Sequence, residues 1–232
     1  MKKILLLMLL IVQFVYVQSE EVKILRMDKI GLLDKSIVIG TGMQGVKLST
    51  DNLHIAYIVN SQVNMYVIRD NKNDFPYENI RMDSLIFSPD GNHLAYIASQ
   101  FGKWMVVLDG NPQEQYDDIN SDSLTFSPDS KRLAYVAKRF NAWCVVVDKK
   151  PGKTYEYIKE KAISFSPDSV HIAYPAGLYN RYFVVLDNKE GNTYNMFAEN
   201  AGIVWDNPTT YHYMVINNSR DIYVITEHLV KK

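Results

Sequence analysis

Several residue sets in this chain have types and spacings that could support chemistry. His54, His93 and His171 fall on one 39-residue grid with Arg132 in the remaining place, and Asp70, Asp109, Asp148 and Asp187 share that grid. Imidazoles and carboxylates in series are metal-ligand types. Gly40-Thr41-Gly42-Met43-Gln44-Gly45 matches the G-x-G-x-x-G pattern of a phosphate-cradling loop. Asp117, Asp118 and Asp122 cluster, and Asp70 and Asp74 flank a turn, as calcium ligands would. Phe101, Phe140 and Tyr179, joined on the same grid by Gln62 and Asn218, have Lys103, Lys138, Arg139 and Arg181 as neighbours. Exposed aromatics rimmed by Arg and Lys are the composition of a protein-binding patch.

Which of these sets converge depends on the elements that carry them. Phe87-Ser88-Pro89-Asp90, Phe126-Ser127-Pro128-Asp129 and Phe165-Ser166-Pro167-Asp168 repeat every 39 residues, with weaker copies at Leu48-Ser49-Thr50-Asp51 and Val204-Trp205-Asp206-Asn207. Tyr57, Tyr96, Tyr135, Tyr174 and Tyr213 keep the same step, as do Tyr77, Tyr116, Tyr155 and Tyr194. Each unit reads as short strands. In residues 84–119 these are Ser84–Phe87, Leu94–Ala98, Trp104–Leu108 and a polar outer strand Gln115–Ile119, separated by turns at Ser88-Pro89-Asp90-Gly91 and Asp109-Gly110-Asn111-Pro112. Apolar inner strands and a charged outer one suit sheets stacked face to face with a protected edge. Pro175 falls inside a second strand, where a lost amide donor predicts a bulge.

Four-strand units at a period near 40 are the blades of a β-propeller. The expected fold is all-β, with repeats over 41–79, 80–118, 119–157, 158–196 and 197–232 in a single domain of residues 20–232. The last repeat is one strand short, and residues 34–40, with Ser36–Ile39 as the strand, complete it from the amino-terminal side. This gives five blades. A strand in residues 22–30 would make six.

The Phe-Ser-Pro-Asp turns, with Leu94-Ala95-Tyr96, Leu133-Ala134-Tyr135 and Ile172-Ala173-Tyr174, resemble the WD40-like, TolB-type propeller repeats of exported bacterial proteins. The resemblance covers most of residues 41–225 and weakens at both ends, where Thr50 replaces the proline and the fifth turn reads Trp205-Asp206-Asn207. It implies a periplasmic or secreted ring that holds other proteins.

On such a ring, equivalent residues of neighbouring blades stand on the order of 10 Å apart, whereas a zinc ligand sits at about 2 Å. The histidine and aspartate series therefore read as turn residues. The glycine motif leads into a strand instead of a helix and has no acid in residues 58–68, so it reads as a blade connection. The innermost positions (Gly45, Ser84, Ser123, Ala162, Ala201 and Lys47, Ile86, Thr125, Ser164, Ile203) bring together no carboxylate pair and no Ser–His–acid set. There is no G-x-S-x-G nucleophile elbow. No catalytic residue, cofactor or metal is assigned. The acid clusters lack six ordered oxygens and read as solvated loops.

The remaining set is aromatic. Phe101, Phe140 and Tyr179, with Lys103, Arg139 and Arg181, are the candidate partner-binding residues, the plain alternative being rings folded over a neighbouring blade. Trp104, Trp143 and Tyr182 open third strands and read as packing residues.

Composition agrees with a folded chain: 232 residues, 47% hydrophobic, 22% charged and 12% aromatic, with a net charge of −1 and no basic block to mark a nucleic-acid partner. The lone Cys144 cannot form an internal disulfide. Lys2 and Lys3, an apolar run from Ile4 and the site at Val17-Gln18-Ser19 have the three-part form of a signal peptide over residues 1–19. The mature chain is then periplasmic or secreted and not membrane-inserted, the alternative being an uncleaved amino-terminal anchor. The expected function is a non-enzymatic binding or scaffold module for a protein or envelope component. The alternative is a carbohydrate- or small-ligand-binding propeller, possibly glycan-active, that uses loop acids such as Asp122 or Glu160.

Overall fold

A computed structural model describes residues 45–61, 63–159, 161–198, 202–217 and 221–230. These form five antiparallel sheets in chain order. In the second, Asn79–Ile80 and Ile86–Phe87 both pair with Leu94–Gln100, followed outward by Lys103–Leu108 and Asn111–Tyr116. The third sheet repeats this with Asp118–Ile119, Thr125–Phe126, Leu133–Arg139, Ala142–Val147 and Lys150–Tyr155. The fourth has Tyr157–Ile158, Ser164–Phe165, Ile172–Leu178, Arg181–Leu186 and Lys189–Glu190. The first holds Val46–Leu48, Ile55–Asn60, Met65–Arg69 and Lys72–Asn73. The fifth holds Met196–Phe197, Val204–Asn207, Thr210–Asn217 and Asp221–His228. The architecture is that of β-propeller blades.

The outer strand differs from the sequence expectation. It runs Asn111–Tyr116, and Asp118–Ile119 already belongs to the next sheet. The reason lies in the turn. Asp109 and Gly110 both have positive φ, 49° and 73°. That is a two-residue type I′ reversal, which returns the chain at once and leaves Asn111 and Pro112 free to pair. Pro112 is tolerated because this is an edge strand.

Pro175 makes no bulge either: it pairs with Val184 in unbroken register. Two and one periods earlier stand Ile97 and Val136, whose amides donate to the hydroxyls of Ser84 and Ser123, each at 2.9 Å. That amide faces the innermost loop instead of the third strand. Proline therefore costs the sheet no ladder bond, and the serine series carries Ala162 opposite it. Ser84 and Ser123 are buried by this role and do not line a channel.

Apolar side chains fill the seams between sheets. Tyr96 and Val107 of the second sheet share a buried cluster with Ile58 and Val67 of the first, and the later seams repeat the pattern. Each seam carries an edge-to-face tyrosine pair, with Tyr77–Tyr96, Tyr116–Tyr135, Tyr155–Tyr174 and Tyr194–Tyr213 centroids 6.0–6.4 Å apart. Among the described residues no helix is long and apolar enough to cross a membrane. Residues 1–19, Ser36–Ile39 and Gly40–Gln44 lie outside the described residues, so the leader, the closing strand and most of the glycine motif do too.

Candidate protein-binding face

Each second and third strand forms a hairpin whose two ends border opposite rims of the disc. On one rim the third strand reverses at Asp70-Asn71, Asp109-Gly110, Asp148-Lys149 and Asp187-Asn188, all left-handed. The aspartate carboxylate makes this end pay structurally. Asp109 accepts from Leu94 N at 2.9 Å and pairs with His93 Nδ1 at 2.7 Å. Asp70, Asp148 and Asp187 repeat this with His54, Arg132 and His171. Those residues in turn stack on the next sheet: His54 on Phe87, His93 on Phe126, Arg132 on Phe165 and His171 on Trp205. Arg69 and Arg132 also cross the seams, to Asn92 O and Val170 O at 2.8 Å each. The histidine and aspartate series are thus inter-blade clamps.

The Ser-Pro-Asp turns lie on the same rim. Ser49, Ser88, Ser127 and Ser166 donate their hydroxyls to Asp51, Asp90, Asp129 and Asp168 and accept the amides of His54, His93, Arg132 and His171. The serine hydroxyls hold these carboxyls below the usual aspartate range. A cleft of about 220 Å³ opens here between the second and third sheets, lined by His93, Phe126, Arg132 and Asp148. That is smaller than the roughly 300–1,000 Å³ of ordinary ligand pockets.

The other rim carries the aromatic series. Phe101-Gly102, Phe140-Asn141 and Tyr179-Asn180 are two-residue reversals with φ of 53° and 69°, 49° and 63°, and 52° and 58°. The first place of a type I′ turn favours Asn, Asp or Gly. A bulky side chain there costs roughly 1–3 kcal/mol of backbone strain. The rings gain nothing from packing, being 82%, 90% and 77% exposed for Phe101, Phe140 and Tyr179. They do not cover a neighbouring blade.

Carboxylates from the connections that enter the same sheets brace two of these turns. Asp117 accepts the Phe140 amide at 2.9 Å, and Glu156 accepts that of Tyr179 at 3.0 Å. Asp117 also takes Lys103 Nζ at 2.6 Å, and that bond, followed by the Phe140 amide, lowers its pKa. Sequence reasoning treated Asp117 as part of a solvated cluster. The missed signal was its spacing: Glu78, Asp117 and Glu156 form their own 39-residue series, each just after a seam tyrosine.

The candidate cations divide. Lys103 is held by Asp117, while Arg139 bonds Glu114 at 2.6 Å and lies over the Tyr116 ring. Arg181 is exposed beside Tyr179. Trp104 packs under Arg81, Trp143 under Lys138, and Tyr182 against Tyr157. Asp122 pairs with Lys161 at 3.0 Å, and Glu160 is outside the described residues. Among the described residues no three His, Cys, Asp or Glu side chains gather as metal ligands would. Cys144 is buried, which pushes its thiol pKa up.

No family model matches the chain, and no curated protein matches its sequence. Among solved structures it is similar to a TolB from Agrobacterium tumefaciens, at 14% identity over 80% of this chain and 76% of that one, with a TM-score of 0.41. It is also similar to TolB from Acinetobacter baumannii, at 15% identity over 78% and 51% of the two chains and a TM-score of 0.44. A third is the Cps50 (Swd1) β-propeller domain of Myceliophteria thermophila, at 10% identity over 79% and 70% and a TM-score of 0.42. The chain spans about half the length of the Acinetobacter protein. The likeness is one of fold alone.

Proposed function

We propose that this chain is a non-enzymatic propeller that holds a protein partner on the rim formed by Phe101, Phe140 and Tyr179, in the periplasm or outside the cell. One observation carries the reading: three consecutive blades keep a large, exposed aromatic in a left-handed turn position that disfavours it. Folding gains nothing from those rings, and rigid exposed aromatics are what a protein interface uses as anchors. The braces from Asp117 and Glu156 support the same reading, because they fix the spacing of the turns before any partner arrives. Lys103, Arg139 and Arg181 form its polar rim. Export rests on the leader-like residues 1–19, and amino-terminal sequencing of the secreted protein would identify the cleavage site.

The small-ligand reading has less support. Its acid Asp122 is engaged by Lys161, and the cleft described above is small and faces the other rim.

The test is capture of native envelope proteins by the mature chain, alongside the triple variant Phe101→Asn, Phe140→Asn, Tyr179→Asn. The expected result is a discrete partner retained by the parent and lost by the variant at equal or higher thermal stability. Retention by the variant, or hydrolysis of a glycan panel by the parent, would sink the reading.

A further inference from the structure

Two of the described seams are closed on the aspartate rim by an arginine. Between the first and second sheets, Arg69 donates to Gly91 O and Asn92 O at 3.3 and 2.8 Å and to Asp109 Oδ1 at 3.2 Å. Its guanidinium lies 5.5 Å from the centroid of the Phe87 ring. Between the third and fourth sheets, Arg132 donates to Ser169 O and Val170 O at 3.0 and 2.8 Å and lies 5.1 Å from the Phe165 centroid. The two carbonyls and the ring are the same places two periods apart.

Between the second and third sheets that set recurs without its arginine. The carbonyls belong to Ser130 and Lys131, the ring to Phe126 and the carboxylate to Asp148. Leu108 stands in the place of Arg69, and His93 in that of Arg132. Among the described residues no donor reaches either carbonyl. Leu108, Phe126, Ser130, Lys131 and Asp148 all line the cleft of about 220 Å³. His93 does not fill it. It stacks on Phe126 as His54 stacks on Phe87, with centroids 6.5 and 6.4 Å apart, and Arg69 shares the Phe87 ring with His54. The seam between the fourth and fifth sheets is closed in another way. Leu186 takes the arginine's place there, and the second carbonyl, Thr209 O, accepts Leu229 N at 2.7 Å.

We propose that the cleft binds the guanidinium of an arginine side chain from a protein partner, held by Ser130 O, Lys131 O and Asp148 over the face of Phe126. A guanidinium is a planar fork of donors that fits two adjacent carbonyls, and it is hydrated weakly enough to lie on an aromatic ring. The cleft has room for such a head group and falls below the size of ordinary small-ligand pockets. Asp148 accepts Leu133 N through Oδ1 and Arg132 Nε through Oδ2, each at 3.1 Å. The corresponding Oδ1 of Asp109 accepts both Leu94 N and Arg69, so this oxygen has room for a second donor. Lys131 and Lys149 are exposed at the cleft, and Lys131 turns toward Asp129 at 3.9 Å. Because their charges oppose any cation, recognition rests on hydrogen-bond geometry and favours arginine over lysine. The site lies on the rim opposite Phe101, Phe140 and Tyr179, and the proposal does not depend on the partner reading above.

The test titrates N-acetyl-arginine amide into the full chain and follows it by NMR. The expected result is a saturable shift of the Lys131 and Arg132 amides, which follow the two carbonyls, with NOEs from the probe's Cδ protons to the Phe126 ring. N-acetyl-lysine amide should bind about tenfold more weakly. Leu108→Arg places the chain's own guanidinium in the cleft, as Arg69 does one seam earlier, and should abolish binding and raise thermal stability. Equal binding of the two probes, or binding unchanged in Leu108→Arg, would overturn the proposal. So would the lack of an NOE to Phe126 in the parent chain, a readout that needs no variant. Binding of free L-arginine without the blocked form would show a small solute in place of a partner's side chain and would overturn it too. The triple variant Phe101→Asn, Phe140→Asn, Tyr179→Asn should bind the probe as the parent does. Loss of binding there would put the probe on the aromatic rim and end the proposal.

Discussion

The two ends of the same hairpins obey opposite rules. At the aspartate end every first-place residue of the reversal is a type that tolerates left-handed backbone, and its carboxylate binds an amide and a His or Arg. Even Gly110 is wedged there, since a Cβ on it would meet Asp74 Oδ1 at 2.8 Å. At the aromatic end the first-place residue is of the wrong type, its ring faces solvent, and a Cβ on Gly102 would meet nothing within 4 Å. The backbone geometry is shared and the use made of it is not. One rim spends its residues on holding blades together; the other keeps residues that folding alone would replace.

The largest expected effect is at the aspartate end. Asp109→Ala strands the Leu94 amide and removes the acceptor of His93 and Arg69, and should lower stability by about 2–3 kcal/mol in urea unfolding. A loss below about 0.5 kcal/mol would erase the contrast, since that is the range of ordinary surface substitutions. Next comes Phe140→Asn, which should raise stability by on the order of 1 kcal/mol by relieving the turn. A fall would mean the ring is packed after all.

Acid sharpens the comparison further. The aspartates bonded by Ser49, Ser88, Ser127 and Ser166 ionise below their unfolded value of 3.8. Their contribution is therefore complete above that value and is lost as pH falls through it toward the folded pKa. Ser88→Ala should reduce this acid-induced loss. Asp74 has the opposite sign, because burial raises its pKa against the bond from Tyr96. It favours the fold while protonated, and that advantage disappears as pH rises past its folded pKa. Asp74→Asn should therefore gain stability near pH 7 relative to its effect at pH 3, as pH-resolved urea melts would measure. The smallest effect belongs to Asp117→Asn, which keeps an acceptor for the Phe140 amide and loses only an exposed ion pair; urea unfolding should change by less than about 0.5 kcal/mol.

Much of this was legible in the sequence. The 39-residue grid gave the blades, and Ser-Pro-Asp marked one rim. What stayed hidden depends on pairing between strands of one sheet. Asp117 braces Phe140 from 23 residues away, and Ser123 serves Val136 from 13. Neither partnership exists until the segment entering a sheet lies beside that sheet's second strand. Pro175 misled because its strand position carries an amide that points inward to a serine, a fact visible only in the neighbouring blades. The exposure of Phe101, Phe140 and Tyr179 was undecidable from spacing alone, since the same residues at the same interval would also suit rings closing a seam.

The central claim is that the aromatic rim is kept at a cost to folding. Urea unfolding of the triple variant Phe101→Asn, Phe140→Asn, Tyr179→Asn measures it directly. The account predicts a gain in stability, on the order of 1–3 kcal/mol in total; a loss of similar size would contradict it.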